Sequence, residues 1–203
     1  MSFERDPDAA LMLRFQQGDV GAFEELVNKY KQPVMNLAYR MLRDITEAED
    51  LAQNVFLQVH KSASRYAVAA KFSTWLFTIT RNLCLNEIRR RSRHPTDPLE
   101  ASYPEQEDQP LRQFEDRKTA SPPESLLHGE LEQKIGQALA ELPETQRTAI
   151  LLCRRDDLSY EDIAEVLGCS ISATKSLIHR GRETLKQKLK PYLRTGAWRE
   201  PSK

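Results

Sequence analysis

The 203-residue sequence predicts an all-α protein of two small helical domains joined by an acidic, proline-rich linker. Three observations carry this. Apolar residues recur at helical spacing on both sides of residues 95–125, and no stretch alternates as a strand would. Residues 95–125 themselves hold six prolines (95, 98, 104, 110, 122 and 123) and little apolar periodicity, the composition of a linker. The net charge of zero conceals three blocks: residues 1–94 carry 14 basic and 11 acidic side chains, residues 95–130 carry 3 and 9, and residues 131–203 carry 13 and 10. Two mildly basic domains, 1–94 and 126–194, thus flank an acidic tether at 95–125, and a basic tail follows at 195–203.

In the first domain, Ala22, Phe23, Leu26, Val27, Tyr30, Val34, Leu37, Ala38 and Met41 form a helical stripe. Pro33 falls inside it and predicts a kink or an interruption. A second helix is expected to open at Thr46 with Glu49 three residues later, a capping-box pattern. Its apolar stripe is Ala48, Leu51, Ala52, Val55, Phe56 and Val59. A third helix begins near Ser73, with Phe72, Leu76, Ile79, Leu83 and Ile88 as its expected buried line.

The outward side of that third helix is unusual. Trp75, Asn82 and Arg89 are seven residues apart and share a face, with Thr78, Arg81 and Asn86 beside them and Arg89–Arg90–Arg91 closing the helix. An exposed aromatic, an amide and a run of cations suit single-stranded nucleic acid: the ring stacks, the amide reads a base edge and the cations hold phosphates. The residues alone leave a second reading open, with Trp75 in the core and the arginines a solvated helix end favoured by the helix dipole.

The second domain is expected to start near Leu126. Leu131, Ile135, Ala138, Leu139 and Leu142 mark one helix, and Pro143 fits the first turn of the next, which carries Ala149 to Leu152. Residues 160–182 then have the spacing of a helix-turn-helix, whose second helix fits a DNA major groove. Ser159 with Asp162 is a capping box. Gly168 can supply the left-handed turn between the helices, and Ala164 is small where they cross. Ile163, Val166, Leu167, Ile171 and Ile178 are placed to close the angle between them. Ser172, Lys175, Ser176, His179, Arg180 and Arg182 are left for the outer side. From Lys175 onward nine basic residues stand against two acidic ones, which favours DNA over a merely solvated helical hairpin.

Other classes of function find no support. The three cysteines, Cys84, Cys153 and Cys169, and the four histidines are scattered without ligand spacing, so neither disulfides, a metal site nor a nucleophile is indicated. No glycine-rich phosphate loop and no GxSxG motif occurs. The expectation is a protein with no cofactor and no catalytic residues. No apolar run approaches the roughly 20 residues of a membrane span, and the N-terminus lacks a signal-peptide pattern, which points to the cytoplasm.

Four stretches together resemble the extracytoplasmic-function (ECF) sigma factors, the two-domain members of the sigma-70 family of bacterial transcription initiation factors. They are Gly18-Asp19 through Leu26, Glu47 through Phe56, Phe72 through Asn82, and Leu142-Pro143 through Ala164 into the helix-turn-helix. The resemblance spans nearly the whole chain and implies two domains, sigma regions 2 and 4. It implies that Glu49, Asp50, Gln53 and Asn54 dock on core RNA polymerase. Trp75, Thr78, Arg81, Asn82, Asn86, Arg89 and Arg90 would read and open the −10 promoter element, with a flipped base beside residues 66–71. Ser172, Lys175, Ser176, His179, Arg180 and Arg182 would meet the −35 element as duplex. It further implies an anti-sigma partner. The runner-up is a stand-alone helix-turn-helix regulator acting without polymerase.

The tether gains a reason from the resemblance. As relaxed coil the 36 residues of the acidic block, 95–130, span roughly 33 Å but stretch to about 120 Å. Promoter elements some 17 base pairs apart lie about 58 Å apart, so the linker is held extended, in the family along the polymerase active-site and RNA-exit path. Three residues depart from the family pattern: Asn54 where an acid is usual, Thr174 where Val is usual, and Leu177 where Arg is usual.

Overall fold

The computed structural model describes residues 6–93, 131, 133–155 and 157–195. The predicted linker, the start near Leu126 and the tail after Thr195 lie outside them. Among the described residues the chain is helices and short turns, with no strand.

The first helix, α1 (Pro7–Gln16), was not predicted. Asp6 explains its placement: one carboxylate oxygen accepts the N–H of Asp8 at 3.0 Å and the other accepts the N–H of Phe72 at 2.7 Å. One side chain therefore caps the first turns of two helices 66 residues apart. Asp8 is buried but paired, accepting from the Lys29 ammonium at 2.6 Å and the Tyr30 hydroxyl at 2.6 Å. Burial, and then the neighbouring Asp8 charge, push the Tyr30 hydroxyl well above its usual range.

The long α2 (Val20–Leu42) buries Ala22, Leu26, Tyr30, Val34, Leu37, Ala38 and Met41, which is the predicted stripe without Phe23 and Val27. Pro33 does not interrupt it. The turns on both sides are anchored by buried Tyr30, Val34 and Leu37, and that packing outweighs the roughly 3 kcal/mol cost of an interior proline. α2 ends at Arg43, a non-glycine residue in the left-handed region at φ 62°, whose N–H donates to the Tyr39 carbonyl at 2.8 Å.

The next helix, α3 (Ile45–Ser62), starts earlier than predicted. Its cap is Asp44, which accepts the Glu47 N–H at 2.9 Å, and not Thr46 with Glu49. The reversal at Arg43 leaves Asp44 extended, so its carboxylate is the first side chain able to reach back. Ala48, Leu51, Val55 and Val59 are buried as expected. A 3-10 turn (Ala63–Arg65) leads to α4 (Phe72–Arg93). Its buried residues are Phe72, Ser73, Thr74, Leu76, Phe77, Thr80, Cys84 and Leu85, and Ile79, Leu83 and Ile88 of the predicted line are only half-buried. The reason is that α4 packs on α1, α2, α3 and α7 together, and a helix covered on several sides has no single apolar stripe.

The C-terminal unit comprises α5 (133–140), α6 (Glu144–Cys153), α7 (Tyr160–Leu167) and α8 (Ile171–Thr195). Pro143 stands at the cap of α6, one residue before its first turn. Arg147 of α6 donates to the carbonyls of Leu139 at 3.0 Å and Leu142 at 3.2 Å, satisfying acceptors that the end of α5 leaves open. Burial of this guanidinium lowers its pKa from the usual arginine value.

The helix-turn-helix forms as its residues dictate. The Ser159 hydroxyl accepts the Asp162 N–H at 3.1 Å, Asp162 accepts the Ser159 N–H at 2.8 Å, and Gly168 turns at φ 66°. Ile163, Val166, Leu167 and Ile178 close the angle, but Ile171 is 39% exposed and does not. Thr174 is fully buried, and its hydroxyl donates to the Ser170 carbonyl at 3.1 Å, so the family departure there leaves no polar group unsatisfied. Leu177 packs partly against the core.

Gly181 was passed over in the sequence. A Cβ there would stand 2.8 Å from Cγ1 of Ile150, so α8 approaches α6 closely only because this residue has no side chain. Gly181→Ala gains about 1 kcal/mol of helix propensity but overpacks the crossing by about 2 kcal/mol. A net loss of about 1 kcal/mol in urea unfolding is expected. A stabilised variant would show that the α6–α8 contact yields freely.

Candidate nucleic-acid interface

At 100° per residue, Trp75, Thr78, Asn82, Asn86 and Arg89 project from one sector of α4. Asn82, Asn86 and Arg89 are exposed. Trp75 is not fully so, which corrects the reading of it as an exposed aromatic. It is half-buried, with its ring tilted against Tyr66 at 4.9 Å and Phe72 at 5.9 Å. Its burial lies between the two readings of its sequence context. Tyr66 itself is buried, and burial raises its hydroxyl pKa to about 12.

The remaining members of this set differ in availability. The Thr78 hydroxyl donates to the Thr74 carbonyl at 2.8 Å. Arg81 lies on the flank of the face, half-buried. Arg90 is exposed and makes two hydrogen bonds to Glu87, at 2.9 and 2.7 Å, which lower the Glu87 carboxyl pKa. Exposed pairs of this kind exchange readily for a phosphate. Asn86, Arg89, Arg90 and Arg93 line one shallow surface cleft. Arg91 departs from the run: it donates to the Leu42 carbonyl at 3.0 Å and pairs with Glu47, so it ties α4 to α2 and α3.

Glu49, Asp50, Gln53 and Asn54 are all exposed on one face of α3. Asp50 and Asn54 line a groove shared with Asn86, Glu87 and Arg90 of α4, floored by Leu51 and Leu83. The two predicted sets therefore meet along one groove, which no spacing within either helix could show.

On α8, Ser172, Lys175, Ser176 and His179 make a continuous exposed face, with Arg180 and Arg182 at its opposite edges. Lys175 stands 5.8 Å from the centre of the Tyr160 ring. Arg182 bends toward α6, with Nη2 3.2 Å from the Cys153 sulfur, and so stands apart from the others.

One residue of the 66–71 stretch joins this surface. The Lys71 carbonyl accepts the Trp75 N–H at 3.1 Å, so Lys71 continues the register of α4 and stands above Asn82 and Arg89 on the same face. Here its ammonium is bound to Asp162 of α7 at 2.7 Å. Lys71 is four residues before Trp75, the spacing that puts both on one helix face, although the sequence pattern starts the helix only near Ser73. Among the described residues no three metal-ligating side chains come together, and no helix is long and apolar enough to cross a membrane.

Comparison with known proteins adds the following. Residues 26–94 match the sigma-70 region 2 family and residues 132–185 match the sigma-70 region 4 family. The chain is 35% identical to the RNA polymerase sigma-H factor of Pseudomonas aeruginosa, over 94% of this chain and 97% of that one. It is 34% identical to the ECF RNA polymerase sigma factor SigW of Bacillus subtilis, over 86% of this chain and 92% of that one. Among solved structures, a sigma factor RpoE in complex with the anti-sigma factor NepR from Bartonella quintana superposes with a TM-score of 0.62 at 25% identity, covering 83% of this chain and 96% of that one. CnrH, solved with the cytosolic domain of CnrY, shares the fold with a TM-score of 0.67 at 22% identity, over 92% of this chain and 99% of that one.

Proposed function

The chain belongs to the extracytoplasmic-function sigma factors of the sigma-70 family, and on that premise we propose how its surfaces divide the reading of a promoter. As a sigma factor it binds core RNA polymerase and directs promoter-specific initiation; it is not itself an enzyme. The domain at residues 1–94 docks on core polymerase through Glu49, Asp50, Gln53 and Asn54. It opens the −10 element through α4, where Trp75 stacks, Asn82 reads a base edge, and Lys71, Asn86, Arg89 and Arg90 line the strand's path. The domain at 126–194 lays α8 in the major groove of the −35 element through Ser172, Lys175, Ser176, His179 and Arg180, with Arg182 at the rim. Residues 95–125 are the tether between them. Bacterial transcription takes place in the cytoplasm, and the protein acts there.

The observation that carries this division is that α4 and α8 present two separate exposed faces of different chemistry. One has an aromatic and two amides, suited to unstacked bases, and the other has cations and hydroxyls suited to duplex edges and phosphates. A stand-alone regulator, the runner-up, has no use for the α3 face or the aromatic of α4. The RpoE neighbour was solved with an anti-sigma factor, and a comparable inhibitor is proposed for this chain.

Transcription with purified core polymerase across a promoter library is the test. Discrete initiation with a shared −10 and −35 pair supports the reading, and no initiation above core alone overturns it. Within that assay Arg180→Ala is expected to weaken upstream duplex binding about 5-fold or more and to reduce the salt slope by about 1. Asn82→Ala is expected to leave duplex affinity intact and lower strand opening. Equal losses at both steps for both variants would overturn the division.

A further inference from the structure

α1 is tied to the strand-reading surface at both of its ends. At its head, one carboxylate oxygen of Asp6 accepts the Asp8 N–H, and the other accepts the N–H of Phe72, the first residue of α4, at 2.7 Å. At its foot, the Gln16 amide donates to the carbonyls of Ala63 and Tyr66, the latter at 2.8 Å. Residues 66–71, the stretch that the resemblance sets beside a flipped base, lie between these two ties. α1 is in turn fixed to α2, since Ala9 and Met12 are buried and Asp8 is bound by Lys29 and Tyr30. Ten residues of helix hold the two ends about 15 Å apart.

The composition of the loop shows why such ties matter. Ala67, Val68, Ala69 and Ala70 have no hydrogen-bonding side-chain atom, and Ala67 and Ala69 are exposed. A base edge brought to this stretch therefore meets backbone N–H and C=O groups. These groups are alike at every residue, so they tell bases apart by position alone, and a hydrogen bond weakens steeply as its distance and angle drift. A loop tied at one end only would sample many positions. Tyr66 offers no polar tie through its side chain. Its hydroxyl is buried without a partner among the described residues, and its ring packs against Phe72 and Trp75. The side-chain hydrogen bond that reaches this end of the loop comes from Gln16.

We propose, on the reading of α4 and residues 66–71 as the −10 surface, that α1 is a strut with Asp6 and Gln16 as positioning residues: by pinning both ends of the loop they set base discrimination at one −10 position without touching DNA.

The test uses the full chain with core polymerase and promoters in which each −10 position carries all four bases in turn. Strand opening is followed by a fluorescent base in the −10 strand, and each position is scored by the ratio of opening on its best and worst base. Gln16→Leu keeps the size and helix propensity of the side chain but loses the donor. Asp6→Ser keeps a cap for α1 but loses the second oxygen, and with it the tie to Phe72. Each variant is expected to lower the ratio about 5-fold or more at one −10 position and to leave the other positions and −35 duplex binding within about 2-fold. A smaller folded fraction cannot imitate this, because it lowers opening on every promoter alike and leaves the ratios unchanged.

Wild-type ratios at every −10 position in either variant overturn the strut, and so does a loss spread evenly over all −10 positions. Asn82→Ala in the same assay then decides what else falls. If it changes the ratio at any −10 position, the reading of α4 stands and the strut alone is wrong; if it changes none, that reading falls as well.

Discussion

Replacing Trp75 with alanine is expected to reduce promoter opening about 10- to 100-fold with core polymerase bound, while upstream duplex recognition by α8 stays within a factor of two. Stacking of one base on an aromatic ring contributes about 1–3 kcal/mol, and roughly 1.4 kcal/mol corresponds to tenfold. The half-burial of the ring adds a second loss. Trp75 packs against Tyr66 and Phe72, and truncating a fully buried tryptophan costs about 3–5 kcal/mol, so a half-buried one costs about 2 kcal/mol of stability. Trp75→Phe separates the two, since it keeps a ring for stacking and much of the contact with Tyr66. Permanganate reactivity of unpaired thymines measures opening, and urea unfolding measures the fold. Normal opening by Trp75→Ala would remove this residue from the promoter-reading set.

Asp162→Ala is expected to destabilise the C-terminal unit by about 2–3 kcal/mol at neutral pH and to weaken −35 duplex binding with it. The change removes an acceptor used by the Ser159 N–H, the Ser159 hydroxyl and Lys71. The loss of the capping box accounts for about 1 kcal/mol, and the unmade hydrogen bonds to a charged acceptor for the rest, discounted because Lys71 is partly exposed. Burial acts to raise the Asp162 pKa, but the hydrogen bonds from Lys71 and Ser159 outweigh it, and the folded value lies below the ordinary 3.8. A depressed folded pKa means that the stabilisation is fully present above pH 3.8 and is lost as the pH falls through the lower folded value. Wild-type and variant unfolding curves should therefore diverge at neutral pH and approach each other in acid. A constant gap down to pH 2 would show that ionised Asp162 contributes nothing through its charge.

Much of the site was legible because its determinants are local. The Ser159–Asp162 box, the Gly168 turn and the exposed row on α8 each depend on residues within a few positions of one another, and the structure reproduces them. The α3 face came with the resemblance, and its exposure follows from helix spacing, since Asp50, Gln53 and Asn54 fall off the buried line of Ala48, Leu51, Val55 and Val59. What failed was less local. Of the expected buried line of α4, Phe72 and Leu76 are fully buried but Ile79, Leu83 and Ile88 only half-buried, while Phe77, Thr80 and Cys84, outside that line, are fully buried. Periodicity identifies a core face only when one side of a helix is covered, and α4 is covered from several. The helix α1 escaped notice because Asp6 and Asp8 reach Phe72, Lys29 and Tyr30, partners that a short window does not contain.

The sequence by itself determined an all-helical chain of two domains, with an acidic, proline-rich stretch between two mildly basic blocks. These follow from periodicity, charge and capping patterns set by neighbours along the chain, whereas the residues proposed for polymerase came only with the family resemblance. Only the tertiary structure decided that Trp75 is half covered by Tyr66, that the α3 and α4 faces share a groove, and that Asp162 both caps α7 and holds Lys71. The partners in those contacts are up to 91 residues apart, and chain order carries no record of which distant surfaces meet. That meeting is decided by the burial and hydrogen bonding of surfaces that exist only once the helices have formed.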